Sequence, residues 1–475
     1  MAPSRRDFLR QTGCALLSAG AMTSSLRHFG MINALAQSAV TDYKALVCVF
    51  LNGGNDGNNA VIPYEDSGSN FNYTMYSNAR ASSGLAIAKA SLSPTVITPM
   101  TINRQFALHP GMLEMKTLFD QHRLAVLCNV GTLVEPLTKA LYQSSPTKRP
   151  YQLFSHSDQV TQQQTSVSNV PGDSGWGGRT SDAMFGVNGN APLPMVVSLA
   201  GTSLFTTGTE TRPLAISPAP TLLSQVLVLN SYTFPPSTDA RSRAFDQIRA
   251  LDGEHRLIKT SSDVMNQALV TSQALSNSAS FEVTTVFPNS SLGNQLKQVA
   301  RLIKANQAQP ALGLKRQIFF CSLGGFDHHS GQIAAQNTLL SQVSLALKAF
   351  YDETVVQGQA SQVTTFTMSD FGRTLQPAGS GAAAVGSDHA WGNHAFILGG
   401  AVRGGDFYGT YPTLTMGGPD DTDSGSNPRG RWIPTTSIEQ YGATLASWFG
   451  LSSSQISTVF PFVGRFATSN LGFLT

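Results

Sequence analysis

Histidine and aspartate side chains are concentrated in two short, glycine-bearing segments, residues 324–329 and 386–394. Together these segments hold four of the nine histidines of the chain. Their candidate metal ligands are Asp327, His328, His329, Asp388, His389 and His394. Zinc and similar divalent ions prefer carboxylates and neutral imidazoles, and glycine allows the tight turns that bring near neighbours onto one ion. The pattern therefore predicts a divalent-metal site, with hydrogen bonds inside each turn as the alternative for any single histidine.

Each segment follows a stretch that is typical of a β-strand. The strand pattern at 318–323 runs directly into the first segment, and the pattern at 363–368 is followed by Asp370 and a loop that leads to the second. A third apolar run, 44–51, ends in a glycine- and asparagine-rich loop that contains Asp56. Open α/β sheets place their sites in loops at the carboxyl ends of strands. We therefore expect these acids and histidines to share one edge of a sheet.

Strand-like and helix-like patterns alternate along the chain. This alternation predicts an α/β fold, a three-layer sandwich in which helices cover both faces of a central, mostly parallel or mixed sheet. Apolar residues at helical spacing predict amphipathic helices at about 295–304, 336–351 and 437–449. We expect one domain over residues 41–475, with an insertion at about 63–105 and an accessory sheet at about 194–235. Its three cysteines lie in apolar runs, which favours free core thiols, with one bridged pair in an oxidising compartment as the alternative.

The first 36 residues carry the features of an export signal. The paired arginines Arg5 and Arg6 precede a mildly apolar stretch, and residues 34–36 form an A-x-A-like cleavage site. The pattern predicts a twin-arginine signal peptide, the twin-arginine export machinery as a partner, and a periplasmic or extracellular location in a bacterium. A basic amphipathic helix is the alternative.

Charge and hydropathy exclude two classes of partner. Residues 1–36 hold four of the 31 basic residues and one of the 28 acidic residues, which leaves 27 of each sign in the rest of the chain. No long basic run with interleaved aromatic residues remains, so we expect no nucleic-acid partner. No later segment approaches the ~18 apolar residues of a membrane span, so we expect none.

A candidate nucleophile lies at Ser155, just before a short predicted helix at 159–165. Backbone N–H groups at a helix start can hold a phosphate while a hydroxyl attacks it. The same serine could equally be an ordinary helix N-cap. Arg179 follows in the glycine-rich turn 175–179, where it could bind an anionic group or only face solvent.

Several motifs, in their order along the chain, resemble those of a widespread family of secreted bacterial proteins of unknown function (DUF1501-type). They are the twin-arginine leader, FLNGGNDG at 50–57, SLGGFDHH at 322–329, SDFGR at 369–373, SDHAWGNH at 387–394 and RWIPTT at 431–436. That family is similar, more distantly, to the alkaline phosphatase and sulfatase superfamily. The resemblance implies an alkaline-phosphatase-like sandwich with a two-metal site, which hydrolyses phosphate or sulfate esters through a Ser, Thr or modified Cys nucleophile.

The resemblance also implies which residues would hold two divalent ions, zinc by preference, with magnesium, manganese or calcium as alternatives. By motif position the ligands would be Asp327, His329 and His394 for the first ion and Asp56, Asp388 and His389 for the second. Asp370 could replace Asp388, because it stands directly after its strand where the superfamily usually has its acid-histidine pair. His328 could likewise replace His329.

The resulting expectation is an exported, metal-dependent hydrolase of a small-molecule or polymer-borne anionic ester. Ser155 is the first candidate nucleophile and Thr132 the second, although neither lies in a closely matching motif. The alternative is a non-catalytic secreted binding or envelope-assembly protein on the same fold, with or without a structural metal. The set of Asp and His ligands supports the enzyme, and the lack of a secure nucleophile supports the alternative.

Overall fold

The computed structural model describes residues 40–227, 239–250, 256–309, 312–381 and 384–475. The predicted signal peptide, residues 1–36, lies outside these ranges. The strands are β1 (Lys44–Leu51), β2 (Val61–Pro63), β3 (Val96–Ile97), β4 (Phe106–Leu108), β5 (Leu124–Gly131), β6 (Val196–Ser198), β7 (Leu214–Ala215), β8 (Arg316–Leu323), β9 (Val363–Ser369), β10 (Arg373–Ala378), β11 (Gly386–His389), β12 (Asn393–Gly399), β13 (Phe407–Gly409) and β14 (Thr436–Ser437). The α-helices are α1 (Gly57–Ala60), α2 (Tyr73–Arg80), α3 (Lys89–Leu92), α4 (Leu113–Asp120), α5 (Lys139–Ser144), α6 (His156–Thr165), α7 (Trp176–Ala183), α8 (Ala240–Arg249), α9 (Arg256–Ala274), α10 (Ser291–Ala308), α11 (Gln332–Val356), α12 (Ile438–Phe449) and α13 (Ser453–Val459).

Within these ranges, nine strands form a central sheet. Its order is β13-β5-β12-β9-β1-β8-β6-β7, with β14 paired to β5. β1 lies between β8 and β9 and is parallel to both. β12 runs antiparallel to β9 and β5, and the other pairings in the sheet are parallel. The predicted α/β fold with a mostly parallel or mixed sheet is confirmed.

β1 shows why the sheet is covered on both sides. Its side chains alternate between two hydrophobic cores because successive residues of a strand point to opposite faces. One core takes Ala45, Val47, Val49 and Leu51, and the other takes Leu46, Cys48 and Phe50. Helices α4, α10 and α11 cover the first core, and α7, α12 and α13 cover the second. A strand buried on both faces explains the unbroken apolar run in this part of the sequence.

The predicted insertion contains a small sheet of its own, whereas the predicted accessory sheet is part of the central sheet. In the predicted insertion, β3 joins β2 and β4 in a small antiparallel sheet, and α2 ends at the buried Arg80. The predicted accessory sheet differs from the structure, because β6 pairs with β8 and so extends the central sheet. Residues 228–235 of that prediction lie outside the described ranges.

The cysteine side chains agree with a further expectation. Cys48, Cys128 and Cys321 are free and buried. No helix in the part of the chain that the structure describes has the length and apolar character needed to cross a bilayer.

Candidate metal centre

Three adjacent parallel strands end side by side and supply the site. Leu51, the last residue of β1, is in register with Leu323 of β8 and with Ser369 of β9. The loops that follow β8 and β9 carry Asp327 and Asp370. Both carboxylates therefore start from neighbouring strand ends, at the edge where α/β sheets place their sites.

The turn after β1 fits between these loops because it contains Gly53. Its φ is +113°, and a Cβ here would lie 2.5 Å from the backbone nitrogen of Asp327. The Gly53 N–H donates to Asp370 Oδ1 at 2.9 Å, and its carbonyl accepts from Arg373 Nη2 at 2.5 Å. Only glycine tolerates both the close approach and the left-handed backbone.

Two further elements bring histidines to the same edge. In the β10–β11 hairpin, His389 is paired with Arg373, and the Ser387 N–H donates to the His328 carbonyl at 3.0 Å. This bond ties β11 to the loop after β8, so His389 and His329 become neighbours. Helix α6 begins at His156, whose ring packs against Phe371 with 4.7 Å between ring centroids.

Four side chains gather at this edge of the sheet; we call them the His–Asp cluster, defined as His156, Asp327, His329 and His389. The Nε2 atom of His389 lies 3.1 Å from Nε2 of His156 and 3.0 Å from Nε2 of His329. Asp327 Oδ1 lies 3.5, 3.1 and 3.6 Å from the Nε2 atoms of His156, His329 and His389. Tetrahedral zinc with bonds of ~2.0–2.1 Å separates its ligand atoms by about 3.3 Å. These five separations bracket that value, and the ligand atoms of His156, Asp327 and His389 all lie within 4.8 Å of one another.

The other ring nitrogen of each histidine faces an acceptor. His156 Nδ1 lies 2.8 Å from Asp370 Oδ2, His389 Nδ1 lies 2.7 Å from the Phe154 carbonyl, and His329 Nδ1 lies 3.3 Å from Asp388 Oδ1. A neutral imidazole that donates from Nδ1 has its lone pair on Nε2. The lone pair on Nε2 of His389 then faces those of His156 and His329, which repel it unless a cation lies between them. Metal-binding histidines typically have this outer hydrogen bond.

Charges and burial around the cluster keep Asp327 and His389 in the protonation states that a divalent ion would require. Partial burial raises the pKa of Asp327, but the hydrogen bond and charge of Arg373 outweigh it and hold the pKa at about 2. Burial lowers the pKa of His389, although its hydrogen bond to Phe154 opposes the shift. Near neutral pH the carboxylate is therefore ionised and this imidazole is neutral, as a divalent ion requires.

Asp370 and Asp388 act on the cluster from outside it. Asp370 is fully buried, and its two oxygens accept from Gly53 and His156. Partial burial raises the pKa of Asp388, but its hydrogen bond and ion pair with Arg429 lower it by more. Both acids therefore face the outer Nδ1 atoms of His156 and His329, which is the position of an outer carboxylate at metal sites.

The structure places Asp56 in a buried ion pair away from the cluster atoms. Its Oδ2 lies 2.6 Å from Arg80 Nη1 and 2.5 Å from Gln332 Nε2, and its Oδ1 accepts from the Asn58 N–H at 3.0 Å. Arg80 and Asp56 are both almost completely buried. The carboxylate predicted to hold a second ion thus has its oxygens occupied by protein donors.

His394 and His328 are likewise not brought into contact with the cluster. The His394 ring stacks on Tyr411 at 5.0 Å, its Nδ1 accepts from the Asn129 N–H at 3.3 Å, and burial lowers its pKa to about 4. His328 contributes its backbone carbonyl to β11, and burial lowers the pKa of its imidazole. The described side chains therefore gather at one centre, where the resemblance implied two.

The candidate catalytic residues have different surroundings. Ser155 precedes His156 at the start of α6, and its hydroxyl donates to Asp158 Oδ2 at 2.6 Å. Thr132 is fully buried, and its hydroxyl donates to Gln159 Oε1 at 3.0 Å. The guanidinium of Arg179 donates to the backbone carbonyls of Val459, Ser174 and Thr165. Ser155 alone among the three adjoins a cluster residue, and Arg179 stabilises the junction of α6, α7 and α13.

Sequence reasoning missed His156 as a member of the cluster, and it missed Arg373 and Arg429 as the cations that pair with Asp327 and Asp388. His156 stands in a Ser-His-Ser-Asp sequence at 155–158, far along the chain from the other ligands and without their glycines. Arg373 closes the SDFGR motif, which was the available signal for it. In the described part of the chain, His156, Asp327 and His389 form a group whose ligand atoms all lie within 4.8 Å of one another.

Fold and site together define an α/β protein with a histidine–carboxylate cluster at the carboxyl edge of a mostly parallel sheet. The family model described as "Protein of unknown function (DUF1501)" matches residues 43–422. The chain therefore belongs to the DUF1501 family. A comparison with curated proteins gave no match.

Proposed function

We propose that the protein is an exported, metal-dependent hydrolase of phosphate or sulfate esters. The observation that carries the proposal is that Nε2 of His389 and Oδ1 of Asp327 each lie within 3.6 Å of the Nε2 atoms of His156 and His329, with each Nδ1 already held by an acceptor. His156, His329, His389 and Asp327 would hold one divalent ion, with zinc the best fit to three imidazoles and a carboxylate. Such an ion polarises an ester oxygen and lowers the pKa of an attacking hydroxyl or water.

Access to solvent supports a catalytic rather than a purely structural centre. The side chains of His329 and Asp327 are each 48% exposed. A ligand that arrives from solvent can therefore reach the side of the cluster that these two residues form. Closed structural zinc sites, by contrast, fill all their positions with buried protein ligands.

The charge balance favours an anionic substrate. Asp327, Asp370 and Asp388 contribute three negative charges, and Arg373 and Arg429, which pair with two of them, contribute two positive charges. These five groups leave one negative charge, so a bound divalent ion makes the immediate metal centre, without Asp158 beside Ser155, positive by one. A phosphate or sulfate ester fits this sign, and we expect it to bind at the exposed side of the cluster.

Ser155 is the preferred nucleophile. It begins α6, so free backbone N–H groups of the first turn adjoin its hydroxyl. Its hydroxyl already donates to Asp158, a carboxylate that can accept the proton as the oxygen attacks. Thr132 is the weaker candidate because it is fully buried.

The competing proposal is a secreted binding or envelope-assembly protein that keeps the metal for structure. The observation in its favour is that the hydroxyls of Ser155 and Thr132 are both engaged by protein acceptors. In that case the metal would bind stoichiometrically, and no ester would be turned over.

Metal analysis of the exported protein, followed by assays with aryl phosphates and aryl sulfates, separates the two proposals. We expect His156→Ala and His389→Ala to bind metal much more weakly and to lose turnover, and Ser155→Ala to keep metal affinity but lose turnover. His122→Asn is the matched control, since His122 has φ +55°, which asparagine tolerates, and contacts Gly404. It should retain both properties. Stoichiometric metal without turnover across a broad ester panel would favour the binding protein, and a metal-free wild type would refute both metal-based proposals.

A further inference from the structure

The turn that leads into α6 has an unusual backbone. Phe154 has φ +71° and Gln152 has φ +45°. A bulky residue with a left-handed backbone is an outlier, because its Cβ crowds the following carbonyl. Such conformations persist where surrounding contacts impose them, and they are concentrated at functional sites.

This conformation directs one carbonyl toward a metal ligand. The Phe154 oxygen accepts from His389 Nδ1 at 2.7 Å, which holds the ring with Nε2 toward His156 and His329. Two residues later the same turn delivers His156 itself. The turn therefore positions one ligand through its backbone and supplies another through its side chain.

Arg431 contacts both of the residues that form that hydrogen bond, Phe154 and His389. Its guanidinium lies 5.1 Å from the centre of the Phe154 ring, and its Nε donates to the His389 carbonyl at 3.1 Å. Its Nη1 lies 3.1 and 3.2 Å from the two carboxylate oxygens of Asp423, which fixes the guanidinium from the far side. One planar side chain thus joins the ring of Phe154 to the backbone of β11.

We propose that Arg431 is a positioning residue of the metal centre: it holds the left-handed Phe154 turn against β11, so that the Phe154 carbonyl orients His389 for metal binding. The inference rests on the metal centre of the proposed function and adds to it a residue that does not touch the metal. Lysine cannot replace Arg431, because stacking on a ring while donating sideways from Nε requires a planar guanidinium.

Zinc affinity, measured by titration calorimetry, is the first test. Arg431→Gln and Arg431→Lys should each bind zinc 10- to 100-fold more weakly than wild type, the usual effect of losing an outer partner of a metal ligand. The cobalt-substituted variants should show the visible spectrum of the His389→Ala protein. Arg149→Gln is the matched control, since Arg149 lies 4.3 Å from the ring of Tyr142 in the same region, and it should bind zinc like wild type. Wild-type zinc affinity in Arg431→Gln would overturn the proposal.

A double-mutant cycle tests whether Arg431 acts through His389. Adding Arg431→Gln to His389→Ala should weaken zinc binding by less than twofold, because the ligand that Arg431 positions is already gone. An equal loss in both backgrounds would overturn the proposal and show that Arg431 has only a general structural effect. Thermal melting of each variant identifies those that fold, and the Lys variant keeps the test available if the Gln variant does not.

Nitrogen NMR of the metal-free protein separates this inference from the proposed function. In wild type the proton of His389 should be on Nδ1, and in Arg431→Gln it should be shared between the two ring nitrogens. If the wild type binds no zinc, the metal-dependent hydrolase fails while this measurement still tests the positioning role. An unchanged Nδ1 proton in Arg431→Gln would refute that role.

Discussion

Replacing Asp370 by asparagine should weaken metal binding without creating a cavity. The Asp370 side chain is fully buried, with Oδ1 accepting from the Gly53 N–H at 2.9 Å and Oδ2 lying 2.8 Å from His156 Nδ1. An amide has one acceptor oxygen and one donor nitrogen, so it cannot accept from both partners. If its oxygen stays with Gly53, its NH₂ faces His156 Nδ1 and drives the histidine proton to Nε2, where it occupies the lone pair that should bind the metal.

We expect the zinc affinity of Asp370→Asn to fall 10- to 100-fold, or by about 1.4–2.7 kcal/mol. At a free zinc concentration of roughly 100 times the wild-type dissociation constant, the ion stabilises the wild-type fold by about 2.7 kcal/mol. A 100-fold weaker variant would keep only about 0.4 kcal/mol of that stabilisation under the same conditions. Zinc should therefore raise the free energy of unfolding much less in the variant than in wild type.

Urea unfolding with and without zinc measures this difference, and calorimetry measures the affinity directly. Asp406→Asn is the matched control, because Asp406 is also buried and accepts from the backbone and hydroxyl of Thr101, away from the histidines. Both bonds end on Oδ1, and an asparagine oxygen can keep them in a weaker, uncharged form, so this variant should lose about 1 kcal/mol of metal-free stability and bind zinc like wild type. Equal zinc affinities in Asp370→Asn and wild type would refute the outer-carboxylate role of Asp370.

Three further predictions follow from buried groups near the site. Asp56→Ala leaves the Arg80 charge buried without its carboxylate partner. The free energy of unfolding measured with urea should therefore fall by about 3–5 kcal/mol, with the zinc stoichiometry unchanged. Loss of zinc at full stability would contradict this structural role. Burial lowers the pKa values of His394 and His109 to about 4, so between pH 6.5 and pH 4 the unfolded chain takes up protons that the fold does not. Each histidine should then lower the free energy of unfolding by about 1.4 kcal/mol per pH unit of acidification over this window. His394→Gln should reduce the slope of the free energy of unfolding against pH. An unchanged slope would show that His394 does not contribute. Gly53→Ala forces a Cβ to within 2.5 Å of the neighbouring loop backbone at a φ of +113°, so both melting temperature and zinc affinity should fall; wild-type values for both would mean that the turn can move without cost.

Much of the sheet could be predicted from local patterns. The run at 44–51 is strand β1 as predicted, and the strand predicted at 318–323 ends where β8 ends. The amphipathic patterns predicted α10 and α11, although both helices extend beyond the predicted bounds. These elements are buried on one or both faces, so their apolar spacing is imposed directly by burial and is visible in the sequence.

Short strands were harder to predict. β6 and β7 have three and two residues, so their pattern could not distinguish a separate sheet from an extension of the central one. The difference depends on the pairing of β6 with β8, a contact between residues more than 100 positions apart in the chain. A local pattern carries no information about such a partner.

The sequence did not show which of its similar aspartates have which role. Asp56, Asp327, Asp370 and Asp388 all stand in glycine-rich loops or motifs, and each was a reasonable ligand. In the structure only Asp327 points an oxygen at the three histidine Nε2 atoms. The others accept hydrogen bonds from an arginine, a histidine or a backbone N–H, and those donors come from distant parts of the chain.

The sequence by itself determined the element types, the strand ends that carry acids, and the segments in which metal ligands had to be sought. These features follow from burial and backbone preference, which act over a few neighbouring residues. Only the tertiary structure decided that His156 joins the cluster, that Asp56 belongs to Arg80, and that the ligands meet at one centre. Those outcomes depend on which nitrogen and which oxygen face each other across the fold, and a difference of a few ångströms separates a metal ligand from the group that orients it.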